Sequence, residues 1–80
     1  MKVKIFISLK PTVSDPQGTT ITGALHKLGF NMVNDVRAGK FIELDIEDGE
    51  ESDIRLQVSE MCQKLLSNPI IEDFEFELEK

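Results

Sequence analysis

From residue 2 to residue 10 apolar and polar side chains alternate. Val3, Ile5, Ile7 and Leu9 share one side, and Lys2, Lys4, Phe6, Ser8 and Lys10 the other, the period-two pattern of a half-buried strand. Pro11 ends it. Asp15-Pro16 predicts a helix start, because an aspartate oxygen can accept from first-turn amides and a proline at the first helical position forfeits no hydrogen bond. Ile21, Ala24, Leu25 and Leu28 then recur at i, i+3, i+4 and i+7 as one apolar stripe, and Gly29 stands where a left-handed residue closes a helix. Residues 33–37 are predicted as a short second strand, Gly39 as part of the turn after it, and residues 41–47 as a third strand with Ile42, Leu44 and Ile46 facing together, so the two strands form a hairpin. Asp48 with Glu51 three residues on predicts the next helix start. Ile54, Val58, Met61 and Leu65 keep helical spacing to a stop at Asn68-Pro69. A fourth strand closes the chain, with Ile70, Phe74, Phe76 and Leu78 on one face and Ile71, Asp73, Glu75, Glu77 and Glu79 on the other.

The order β-α-β-β-α-β predicts a ferredoxin-like α+β fold, a four-stranded antiparallel sheet with two helices on one face. In that topology the first and last strands are antiparallel neighbours, which sets Lys2 and Lys4 across from Glu75, Glu77 or Glu79. Each such pair contributes only about 0.2–1 kcal/mol, so the charges agree with the fold without causing it.

Eighty residues make one domain, 1–80, and at this size folding removes only roughly 60% of the unfolded chain's surface, so help from other chains is anticipated. With 40% hydrophobic and 30% charged residues the chain is no disordered tail. Nine Lys+Arg against 15 Asp+Glu leave a net charge of −6, which disfavours nucleic acid and anionic membranes alike. The first residues alternate instead of forming the apolar run of a signal peptide, and no stretch approaches the roughly 18 apolar residues of a membrane span. A single cysteine, Cys62, precludes an intrachain disulfide and favours the cytoplasm.

A search for enzyme chemistry finds little. Gly39-Lys40 fails as a phosphate loop, since Asn34 and Phe41 stand where glycine and a hydroxyl residue belong. The acids between Asp45 and Asp53 fail as a calcium loop, since placing Gly49 sixth puts Leu44 first. His26 lies about 140° around its helix from Ile21, away from the stripe, and Cys62 about 80° from Ile54, so a solvated imidazole and a structural thiol are expected. The informative face is the one the helices leave bare. Phe6, Phe41 and Ile71 project there among Lys, Glu and Asp, and burying even one Phe returns about 2–3 kcal/mol, which predicts self-association through that face. Leu56, opposite its helix's stripe, is a weaker second contact point.

The strings Leu9-Lys10-Pro11, Asp15-Pro16-Gln17-Gly18, Ala24-Leu25, Leu28-Gly29-Phe30, Val36-Arg37 with Gly39-Lys40, and Asn68-Pro69-Ile70-Ile71-Glu72 resemble, at these spacings and over nearly the whole chain, the PurS family of small subunits of phosphoribosylformylglycinamidine synthase. The resemblance implies a non-catalytic bridging subunit in the step of purine synthesis that uses ATP and glutamine to convert formylglycinamide ribonucleotide to its amidine. It implies three partners: a second copy in a dimer or tetramer, a large synthetase subunit and a glutaminase subunit whose ammonia is kept from escaping. It also implies that this chain binds no cofactor, ATP and Mg being used by the large subunit. Carried over position by position, Asp15, Pro16, Gln17 and Gly18 form the first helix start and Arg37, Gly39 and Lys40 the hairpin that meets partners, with Glu72 a further contact. Asp15 and Pro16 serve equally well as a plain cap, whereas Arg37 and Lys40 have no predicted role in the core. Two rivals remain: a small-molecule-binding regulatory module of the same fold, and an RNA-binding sheet, which the acidic last strand opposes.

Overall fold

A computed structural model describes residues 1–79. Three strands form one antiparallel sheet in the order β2-β1-β3, with β1 (Lys2–Leu9) central, β2 (Gly39–Asp45) on one side and β3 (Glu72–Glu79) on the other. Phe6 pairs with Phe41 across one edge and with Glu75 across the other. The predicted neighbourhood of first and last strands is correct, and so is its charge pairing: Lys4 Nζ lies 2.7 Å from Glu79.

The four-stranded sheet is not. Residues 33–37 form no strand, so the expected hairpin is absent and the chain is a three-stranded variant of the ferredoxin-like type of α+β arrangement. Other groups take the backbone bonds that a ladder would have used. The Val33 carbonyl lies 2.7 Å from His26 Nε2, and the Ala38 amide donates to Asp15 Oδ2 at 2.7 Å. Only Val33 and Val36 are apolar among those five residues, too little to hold an edge strand against such competition.

Two helices complete the fold. The first, α1 (Pro16–Lys27), starts as predicted: Asp15 caps it by accepting from the Gly18 amide at 2.8 Å, Pro16 leads the first turn, and Gly29 has φ 98° just past its end. The second, α2 (Glu51–Met61), starts without the predicted cap. Asp48 turns instead to the N-terminal ammonium at 3.0 Å, and Glu50 occupies the cap position with no side-chain bond. Past Met61 the helix widens into a π-helical turn, Cys62–Leu66, where the backbone amide and the hydroxyl of Ser67 both donate to the Cys62 carbonyl, at 2.9 and 2.8 Å. Ile70 and Ile71 lie in the turn that follows, so the last strand starts at Glu72.

The core joins Val3, Ile5 and Ile7 of β1 to Ile54 and Val58 of α2 and to Cys62, with Phe74, Phe76 and Leu78 of β3 and Ile42 and Leu44 of β2 partly buried against it. Helix α1 contributes nothing to this cluster, which corrects the expectation that both helices cover the sheet. Its first turn is bound at the Ser8–Gly39 end of the strands, and its stripe is left half-buried at Leu25 and open at Leu28, which is 72% exposed. The molecule is accordingly long, 49 × 26 × 15 Å, with a radius of gyration of 16.1 Å where a compact chain of this length has about 12 Å.

Candidate partner interface

Of the eight residues predicted to meet partners, five come together. Asp15, Gln17, Gly39, Lys40 and Glu72 line one small depression at the sheet end where β1 pairs with the starts of β2 and β3. Asp15 organises it. One carboxylate oxygen accepts from Gly18 and the other from Ala38, which ties α1 to the segment leading into β2. Both bonds favour the ionised form, the Gly18 amide foremost and then Ala38, and hold the carboxyl below its ordinary range although the side chain is buried. Two glycines permit the approach. A Cβ on Gly18 would collide with the Val36 carbonyl, and one on Gly39 would lie 2.6 Å from the Ile7 oxygen. Glu72 Oε1 accepts from the Asn68 amide at 2.7 Å, and its other oxygen lies 3.5 Å from Lys40 Nζ, whose side chain is largely in solvent.

The remaining three differ. Pro16 is exposed at the helix start and Gly18 is buried beneath it. Arg37, expected to meet a partner, is exposed and its Nη2 donates to the Lys10 and Val13 carbonyls, at 3.0 and 2.9 Å, so that it also ties down the loop after β1. The pattern of apolar positions carries no sign of this, because a guanidinium that satisfies loop carbonyls has no periodicity. Ser67, which closes the π turn, escapes sequence reasoning for the same reason.

The bare sheet face holds Phe6 and Phe41 as anticipated, their ring centroids 5.3 Å apart and both rings more than a third exposed. Ile71, expected to project from that face with them, is exposed in the turn before β3, where its carbonyl accepts from the Lys10 amide. Around the rings stand Lys2, Lys4, Glu43 and Glu77 on alternate positions. A second apolar area, unforeseen, lies on the other face, where Leu44, Met61, Leu65 and Leu66 flank a groove between β2 and α2.

None of this is arranged for bond-making. Cys62 is buried, and loss of solvation pushes its thiol up, away from the thiolate a nucleophile needs. His26 is engaged with a backbone carbonyl. Among the described residues no group of three His, Cys, Asp or Glu side chains is placed to hold a metal, and no helix is long and apolar enough to cross a membrane.

Comparison with known proteins agrees with the surfaces. Residues 2–80 match the family model described as PurS: Phosphoribosylformylglycinamidine (FGAM) synthase. The phosphoribosylformylglycinamidine synthase subunit PurS of Bacillus subtilis is 49% identical over 79 residues, covering 99% of this chain and 93% of that protein. Its crystal structure superimposes with a TM-score of 0.90 over 99% of this chain and 98% of the other. A chain in the structure of PurLQS from Thermotoga maritima is 32% identical, with a TM-score of 0.85 over 95% of this chain and 93% of that one.

Proposed function

The chain belongs to the PurS family of phosphoribosylformylglycinamidine synthase, and from that premise we propose that it acts as the bridge of the complex, binding a second copy of itself, the synthetase subunit and the glutaminase subunit. It is a non-catalytic subunit of that synthase, the glutamine amidotransferase-type ligase of purine biosynthesis, whose bond-making is carried by the other subunits. The observation that carries the bridging role is the likeness, over almost the whole of both chains, to a chain of PurLQS. The surfaces support it, since a molecule whose apolar residues lie on two separate faces and whose one thiol is buried is equipped to touch proteins and not to turn over substrate.

In this reading the depression of Asp15, Gln17, Gly39, Lys40 and Glu72 meets one of the large partners, and the Phe6–Phe41 face meets another chain. ATP and Mg are bound by the synthetase subunit and none by this chain. The complex works in the cytoplasm, where a lone thiol stays reduced.

Reconstitution tests the bridge. The synthetase and glutaminase subunits are mixed with and without this chain, and synthesis is followed with glutamine and separately with added ammonia. Omission should abolish most glutamine-dependent turnover and spare the ammonia-dependent reaction; equal loss of both would place the chain in the synthetase active site instead. Lys40→Glu is the surface probe, because Lys40 is exposed and supports no loop, whereas Arg37 does. It should weaken the glutamine reaction alone.

A further inference from the structure

The turn between the π-helical segment and β3 is tied down at every amide it has. The Asn68 carbonyl accepts from the Ile71 and Glu72 amides, at 3.1 and 2.7 Å, and the Asn68 side-chain oxygen accepts from the Ile70 amide at 3.1 Å. The Asn68 amide donates in turn to Glu72 Oε1 at 2.7 Å, and Pro69 has no amide to satisfy and a fixed φ. A bond of 2.8 Å from the Lys10 amide to the Ile71 carbonyl joins the turn to the end of β1. On this rigid support stands Ile70. Its spacing from Phe74, Phe76 and Leu78 predicts burial, yet it is 81% exposed. A branched apolar side chain already ordered in water loses little further freedom when a partner covers it, which is the condition of an efficient binding anchor.

The carboxylate that holds the turn also holds a charge. Lys40 of β2 pairs with Ile7 and Glu72 of β3 with Leu9, so the two flank the end of β1, and Glu72 Oε2 lies 3.5 Å from Lys40 Nζ. Glu72 is largely covered and Lys40 largely in solvent, so a partner arriving here meets the ammonium. We infer that Ile70 and Lys40 make a two-point contact with a large subunit, Ile70 seated in an apolar socket and Lys40 on a carboxylate at the socket's rim; this rests on the contact of that sheet end with a large subunit proposed above, and names the chemistry of the surface that receives it. Two observations favour a large subunit over a second copy. Glu72 belongs both to the turn and to the depression assigned to that subunit, so the surface is continuous. In a two-fold pairing the patch would face itself, and Lys40 would meet another ammonium while both Glu72 oxygens are already engaged.

Titration tests the anchor. The chain is added to fixed amounts of the synthetase and glutaminase subunits, and glutamine-dependent turnover gives its half-saturating concentration. That concentration should rise about fourfold in Ile70→Val, one methylene short, and at least tenfold in Ile70→Ala, following the apolar area lost from the socket. Lys40→Gln should raise it severalfold at low salt, and the difference from the parent should shrink as salt is added. Asn68 is a positioning residue: Asn68→Ala frees the Ile70 amide and should weaken docking, and Asn68→Asp, which keeps the acceptor oxygen, should recover most of the loss. Ile70→Ala titrating like the parent would overturn the anchor and leave the bridge standing; a parent chain that adds no glutamine-dependent turnover would overturn both. Sedimentation velocity on the purified chain should give Ile70→Ala and the parent the same self-association, and weaker association in the variant would assign the turn to a second copy and overturn the contact. If a variant loses the far-UV circular dichroism of the parent, hydrogen exchange on the parent decides. Mixing with the large subunits should slow exchange at residues 70–72, and unchanged exchange there would refute the contact.

Discussion

The two helices have similar lengths and similar apolar spacing, yet opposite fates. Helix α2 lays Ile54 and Val58 on β1, where both are buried. Helix α1, with its C-cap, presents Ile21, Leu25 and Leu28 at equivalent spacing and buries only Gly18. Periodicity declares that a stripe must be covered and is silent about which chain covers it. What separates the helices is their anchors: α2 runs straight into a π turn closed beneath the sheet by Ser67, whereas α1 is bound by its first turn to the strand ends.

The contrast breaks most visibly in the core. Ile5→Ala, at a fully buried position in the middle of the central strand, should cost about 2–5 kcal/mol. Against a total stability of about 5–15 kcal/mol that is a large share. Urea unfolding followed by far-UV circular dichroism measures it, the chain having no Trp or Tyr for fluorescence. The loss should be the same at every protein concentration once dimer dissociation is accounted for.

Next in size is the anchor itself. Gly18→Ala places a methyl group on the Val36 carbonyl, and since that obstacle is backbone, the helix start must shift. Overpacking of this kind costs about 1–3 kcal/mol. The same urea experiment gives the size, and hydrogen exchange gives the place: the amides at positions 18 and 38 should lose protection while those of β1 keep it.

How much of this is legible in the order of residues follows from what each feature depends on. The strands at β1 and β3, the Asp15-Pro16 start and the Gly29 end are local, and each shows in its own stretch of chain. The strand predicted at residues 33–37 fails because its competitors, Asp15 and His26, lie elsewhere in the chain. The open face is visible through Phe6 and Phe41, but the groove is not, because Leu44, Met61 and Leu65 all belong to stripes that a single chain is expected to bury. Arg37 reads as a free charge since its partners are carbonyls, which every residue has.

Asp15→Asn separates the charge of the anchor from its shape. An amide can accept from Gly18 through its oxygen but presents an NH2 to the Ala38 amide, so the tie to the loop is lost while the helix cap survives. The carboxyl's folded pKa is depressed below its ordinary 3.8, so its stabilisation is complete above that value and is lost as pH falls through the folded one. Parent and variant should therefore differ in melting temperature by a constant amount near neutral pH and converge below pH 3.8. A gap that persists at low pH would assign the effect to packing.

The smallest expected effect is the most discriminating. Leu28→Ala removes a side chain that is 72% exposed in the single chain, and truncation of such a surface residue changes stability by no more than about 0.5 kcal/mol. Measured at low micromolar concentration, where dissociated chains dominate, unfolding should be indistinguishable from the parent's. At high concentration the parent gains stability by mass action from any association that needs the folded state. The variant should gain less, because Leu28 belongs to an apolar stripe that the single chain leaves uncovered. Ile5→Ala shifts both measurements equally and Leu28→Ala only the second, so one pair of denaturation curves at two concentrations tells the region that completes its own fold from the region that needs another chain.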